Sequence, residues 1–228
     1  MMVVAVVAVV AVIGVGAFLY LTRDVAAPSQ DVNDAVQELE VTETEGTSTV
    51  FQISQTGTTA EYNIYELLNG ADKTVVGTTN EVGGDIAIHM SDLSQSQIGE
   101  LRINARTFAT DNSRRDNAVA RFVLQSEQAA NEFIIFQPTQ IIGLEGAAAV
   151  GESITFSVTG DLTISGVTQS TTFTVTAVLE SESVLTGSAE TVISRGDFNL
   201  SIPQVPSVAN VSDDVTLKLN FTANANAA

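Results

Sequence analysis

Between Phe156 and Val175 the chain reads FSVTGDLTISGVTQSTTFTV. Ile154, Phe156, Val158, Leu162 and Ile164 fall on one face of this stretch, and Thr155, Ser157, Thr159, Asp161 and Thr163 on the other. Ser165-Gly166 breaks the run, and Phe173, Val175, Ala177 and Leu179 restart it. Period-two alternation on both sides of a Gly-containing turn predicts a β-hairpin with one dry and one solvated face. Threonine suits the solvated face because a β-branched side chain fits a pleated surface.

The same pattern recurs along the chain. Strands are predicted over 49–54, 59–68, 73–83, 85–90 and 101–108, then over 133–142, 186–198 and 214–222. Pro138 marks an edge, bulge or interruption in its strand. Residues 113–129 carry helical spacing through Ala118, Phe122 and Gln125, with Asp111 as the expected N-cap. His89 falls on the parity opposite Ile86, Ile88 and Met90, which reads as a satisfied strand histidine rather than a catalytic one.

The first 21 residues contain no charged side chain. An apolar run of about 20 residues is long enough to span a bilayer as a helix. A cleaved signal peptide, with Val25-Ala26-Ala27 as its best site, is the competing reading, but the run is longer than a typical h-region, no basic residue precedes it and Pro28 is a poor start for a mature chain. Residues 1–22 are therefore expected to be an N-terminal transmembrane anchor or signal-anchor. Asp24, Asp31, Asp34, Glu38, Glu40, Glu43 and Glu45 follow with no basic residue between them, which predicts an acidic flexible linker over 23–47. The folded domain is expected over 48–226.

Eight or more antiparallel strands with one inserted helix must hide their edges, and closing into a barrel does so completely. The expected fold is thus all-β: an antiparallel, lipocalin-like barrel of about eight strands with one inserted helix, preceded by the transmembrane helix. Composition narrows the chemistry. The 228 residues carry 27 acidic and 9 basic side chains, a net charge of −18. That balance disfavours nucleic acid, whose backbone calls for Lys and Arg. No Cys and one His remove thiolate chemistry and multi-His metal centres. No nucleophile–base pair, acid pair or metal set stands out, so an enzyme is not expected and no cofactor is implied.

One family resemblance rests on an ordered set of short motifs. They are Gly84-Asp85-Ile86, Thr110-Asp111-Asn112 with Arg115-Asp116, and Phe136. After them come Val158 to Ile164 with Gly166-Val167-Thr168, and Ser194-Arg195-Gly196-Asp197-Phe198. In this set the chain resembles the YceI-like, polyisoprenoid-binding, lipocalin-fold family over about residues 48–224. Two departures are Gln169-Ser170, where the family often has Pro, and Asn199, where it often has Gly. The resemblance implies a barrel holding a long apolar chain, such as a quinone tail or a polyprenol, in the cell envelope.

The barrel interior, and so the ligand wall, is expected from Phe51, Ile53, Ile64, Ile88, Ile103, Phe133, Ile135, Phe156, Phe173, Val175, Leu217 and Leu219. Asp111, Arg115, Asp116, Arg195 and Asp197 are the charged residues that the resemblance singles out, either for a lipid head group at the mouth or for pinning the helix and a strand end. The expected partners are a long-chain lipid, the membrane through the N-terminal helix, and a second copy of the chain in a homodimer. The expected location is the cell membrane, single-pass, with the domain outside the cytoplasm. The alternative is a ligand-free structural or interaction barrel on the cell surface, and a filled interior would favour it.

Overall fold

The computed structural model describes residues 23–39, 41 and 48–226. The expected membrane span over 1–22 lies outside them. Among the described residues no helix is long and apolar enough to cross a membrane.

A short helix α1 (Val32–Ala35) precedes the strands β1 (Ser48–Leu68), β2 (Ala71–Thr79), β3 (Val82–Gly83), β4 (Asp85–His89), β5 (Gln97–Ile98) and β6 (Leu101–Asn104). Helix α2 (Ser113–Ala118) is followed by β7 (Phe133–Ile142), β8 (Ser153–Ile164), β9 (Val167–Ser181), β10 (Val184–Ser194), β11 (Val208–Ala209) and β12 (Asp214–Ala225). All the ladders between these strands are antiparallel. The path runs β3-β6-β7-β8-β9-β10-β12-β1-β4-β5, with β2 and β11 also on β1. Its two ends meet through the chain itself. β3 lies between β2 and β4, both bonded to β1, while Val82 and Gly83 pair with Ile103 and Arg102 of β6. Reciprocal bonds between Thr78 and Ala109 extend that seam. The curled sheet thus closes as a barrel.

The predicted hairpin is β8–β9. Ser165 and Gly166 turn it with φ of 50° and 77°, the left-handed pair that matches strand twist. On its solvated face Thr155–Thr176, Thr159–Thr172 and Thr163–Thr168 form hydroxyl contacts of 3.0, 2.8 and 2.8 Å across the strands. Pro138 coincides with a register shift between β7 and β8, as its missing N–H requires.

The strand read over 186–198 ends at Ser194 and passes into a 3-10 turn, Arg195–Phe198, and three larger expectations change. The two strands read over 49–54 and 59–68 are one strand, β1, with a register shift against β12 between Ser54 and Thr59. The helix read over 113–129 is α2 and then one π-helical turn, Val119–Val123, after which Gln125 adopts φ 50°. Its N-cap is Asn112, whose Oδ1 accepts from the amides of Arg114 and Arg115, and not Asp111. A reading by 3.6 periodicity could not see the wider turn.

The third concerns residues 23–39, expected as a flexible tether. They form a strap packed on the barrel. Val32 is 0 % exposed. Asp31 caps α1 by accepting from the Asn33 amide. Glu132 accepts from the Ser29 amide at 2.7 Å and pairs with Arg106 at 2.9 Å, and Arg106 also donates to the Ala27 carbonyl. Arg121 donates to the carbonyls of Arg23 and Asp24. The strap crosses the seam: a Cβ on Gly83 would sit 2.8 Å from Asn33 Oδ1 and 2.9 Å from Val36 Cγ2. Further along, Asp85 lies against the strap with its Oδ1 buried and unbonded. Burial pushes its carboxyl above the ordinary carboxylate value, opposed by the Leu39 amide and reinforced by the Glu38 charge.

Two outcomes follow from these contacts. Glu132→Ala leaves Arg106 buried without its carboxylate, and is expected to cost about 3–5 kcal/mol in denaturant unfolding. It should also expose the strap to protease in the folded protein. An acid whose folded pKa is raised destabilises the fold while charged, and that cost vanishes as pH falls through the folded value. Asp85→Asn should therefore be more stable than wild type at pH 7, with the difference shrinking toward about pH 4, near the unfolded value. Denaturation curves at both pH values check this; an equal difference at both would contradict it.

Candidate functional site

The inward positions of the strands enclose a cavity of about 640 Å³. Its wall is apolar because each strand turns its dry parity inward. Nine of the twelve apolar residues expected inside line it: Ile53, Ile64, Ile88, Ile103, Phe156, Phe173, Val175, Leu217 and Leu219. Phe51, Phe133 and Ile135 do not. Phe51 packs within the cluster that contains Val82, Ile86 and Ala223 and does not reach the cavity. In β7 the register is one residue off: Ile134 and Phe136 line the cavity, and Phe133 lies under the Arg102 guanidinium. The run FIIF is apolar on both parities, so alternation could not decide.

Three rings in the wall lie over glycines. A Cβ would come within 2.2 Å of the Tyr62 ring at Gly77, 2.7 Å of Phe136 at Gly160 and 2.6 Å of Phe221 at Gly187. Gly77 and Gly187 are the direct cross-strand partners of Tyr62 and Phe221. Each ring occupies the place of a missing side chain. Phe136 and Phe173 then meet edge to face, with centroids 5.0 Å apart.

Polar groups gather at one end, under α2. Glu66 falls on the same parity as Tyr62 and Ile64, lines the cavity and is 6 % exposed. Arg115 reaches it at 3.3 Å and also pairs with Asp111, which Lys73 contacts from the other side. Hydrogen bonds from Lys73 and Arg115 hold the Asp111 carboxyl below its ordinary value. Asp116 accepts from the Thr110 amide at 2.8 Å and its hydroxyl at 2.6 Å, closing the loop before α2. Burial, with the Asp116 charge, pushes the Tyr62 phenol up to about 12, so it stays a neutral donor.

The other charged residues expected at the site serve the fold. Arg195 lines the cavity, yet its guanidinium donates to the carbonyls of Ser212 at 3.0 Å and Leu200 at 3.1 Å, which ties down the loop between β10 and β12. Asp197 is exposed and contributes its backbone, the carbonyl accepting from Gln169 and the amide donating to Ser194 Oγ. Asp111 and Asp116 do not line the cavity. His89 is buried, and its Nδ1 accepts from the Asp92 amide at 3.1 Å. Among the described residues no group of three His, Cys, Asp or Glu could hold a metal ion.

Sequence reading missed Glu66, Tyr62 and Arg114 as cavity residues. For Glu66 the signal was there: an acid on the dry parity of β1. For Arg114 it was not, because neighbouring arginines look alike until one is seen to be taken by Glu66.

Comparison with solved structures gives the same fold at low identity. A polyisoprenoid binding domain from Saccharophagus degradans, implicated in plant cell wall breakdown, superposes with a TM-score of 0.59 at 12% identity, covering 79% of this chain and all (100%) of that one. BcnA of Burkholderia cenocepacia gives 0.56 at 18%, covering 75% and 98%. A YceI protein of Campylobacter jejuni gives 0.52 at 19%, covering 66% and 85%. No curated protein matches. The profile of the YceI-like domain matches residues 51–223, the whole barrel from β1 to β12, and the chain belongs to that family.

Proposed function

We propose that the chain binds one long single-chain lipid, an isoprenoid or similar, in the barrel cavity, and works as a carrier tethered to the membrane by residues 1–22 with the barrel outside the cytoplasm. The observation that carries this reading is the apolar cavity of about 640 Å³. A core that served stability alone would be filled, because interiors pack like organic crystals. The family supports the reading, and so does the Saccharophagus degradans neighbour, which is named as a polyisoprenoid binding domain.

The volume bounds the ligand. A water molecule takes about 30 Å³ of liquid and a methylene is of similar size, so the cavity holds about twenty carbons. Each buried methylene contributes about 0.8 kcal/mol before ordering costs. Affinity should rise with chain length to about that limit and then level off, with longer chains leaving through the mouth. The tether fits this geometry. Arg23, the first described residue after the apolar segment, pairs with Glu127 at 3.1 Å, beside the turn that follows α2. A membrane-embedded segment 1–22 would hold that end of the barrel toward the bilayer.

Native mass spectrometry of the full chain, taken from the envelope of an expressing host, tests this. The expected result is a discrete added mass that organic extraction identifies as a single-chain lipid. Val175→Trp, which fills the cavity from β9, should lose that mass while the chain stays folded. A clean apo mass that also refuses both added geranylgeraniol and geranylgeranyl phosphate would overturn the carrier reading and leave a scaffold.

A further inference from the structure

All nine Lys and Arg side chains lie among the described residues. Eight of them are in ion pairs: Arg23, Lys73, Arg102, Arg106, Arg115, Arg121, Arg195 and Lys218. The ninth is Arg114. Its amide is used in capping α2, but its guanidinium has no hydrogen bond or ion pair among the described residues. On a chain with 27 acidic residues, a cation left without an acid is unusual. Arg114 is exposed, and it lines the mouth of the apolar cavity beside Asn112 and Ala118.

The fold has no use for this charge. Arg114 stands in the first turn of α2, where a cation opposes the helix dipole. The two acids nearest in the network are engaged elsewhere: Glu66 by Arg115, and Asp116 by Thr110. Lys73, Arg114 and Arg115 stand among Glu66, Asp111 and Asp116, so three cations gather at this part of the mouth on a molecule of net charge −18. Arg114 offers an unused planar donor fork there.

We propose that Arg114 is the head-group residue of the cavity and selects a single-chain lipid ending in an anionic oxygen group, a carboxylate or a phosphate, over one with a neutral head. The proposal rests on the lipid-binding reading of the cavity and adds the chemistry of the ligand's polar end. Guanidinium pairs both groups through two parallel N–H···O bonds. The apolar wall takes the chain, and Arg114 takes the end that cannot enter.

The test is competition on the full chain, read by native mass spectrometry. One arm offers equimolar eicosanoic acid and eicosanol; the other offers geranylgeranyl phosphate and geranylgeraniol. Wild type should favour the anionic member by about tenfold, the scale of one charge-assisted hydrogen bond at a wet site. A preference in one arm only assigns the source to carboxylate or to phosphate. Arg114→Ala should abolish the preference without lowering Tm, because it removes no hydrogen bond or ion pair seen among the described residues and takes away a charge that opposes the helix dipole, and Arg114→Lys should keep part of the preference. Raising salt should weaken the wild-type preference. Equal uptake of both members by wild type, or a preference that survives Arg114→Ala, overturns the head-group assignment while leaving the cavity reading in place. Refusal of all four lipids overturns the cavity reading itself.

Discussion

The interior of an eight-stranded barrel is just wide enough for its own side chains to fill, so an open one requires that the largest be kept from the centre. Tyr62, Phe136 and Phe221 lie against the wall over Gly77, Gly160 and Gly187, in the space a Cβ would take. Lying flat, a ring covers the backbone of the next strand without reaching the middle. The cavity of about 640 Å³ depends on that pairing of large with absent side chains across adjacent strands. Glycine weakens a strand by leaving nothing to pack; here the neighbour's ring supplies the packing. The outer face carries its own support in the threonine pairs of β8 and β9.

Closure has a weak place, and the polar network is concentrated there. The ladder between β3 and β6 has two residue pairs, against twelve between β8 and β9. The strap of residues 23–39 lies over it, and the close approach of Asn33 and Val36 to Gly83 fits only a glycine. Arg106, Glu132, Arg121 and Glu127 hold the strap from beneath. Partial burial pushes the Glu127 carboxyl up, but hydrogen bonds from Arg121 and Arg23 outweigh it and hold the group below its ordinary value. Charge in the strap is therefore structural in part. Asp31 caps a helix, and Glu38 and Asp85 crowd each other where the strap runs along β4.

The sequence made the hairpin, the barrel class and most of the wall legible, because period two survives wherever one face is dry and the other wet. It failed where that contrast vanishes. The FIIF run of β7 is apolar on both faces, since Phe133 is covered by Arg102 outside the barrel. The strap failed for the opposite reason. Its acids look like a solvated spacer, and one valine buried completely is too little apolar signal to show that it docks. The turn after α2 widens to a π-helix that no 3.6-residue pattern describes. In β1 an acid on the dry face was readable, but what it pairs with was not.

That pairing decides which arginine is free. Glu66 is buried at the cavity's end, and a buried carboxylate without a cation costs several kcal/mol. Arg115 meets this need from α2 and is thereby spent, and Arg195 is spent on the carbonyls of Ser212 and Leu200. The two arginines marked by family resemblance are thus the ones whose guanidinium groups are committed to the fold. Such residues hold the mouth in shape, and they cannot turn to a ligand without uncovering a buried acid or releasing a loop. Arg114 carries no such obligation. Selectivity at the mouth can then change by substitution at one position while the barrel beneath it stays the same.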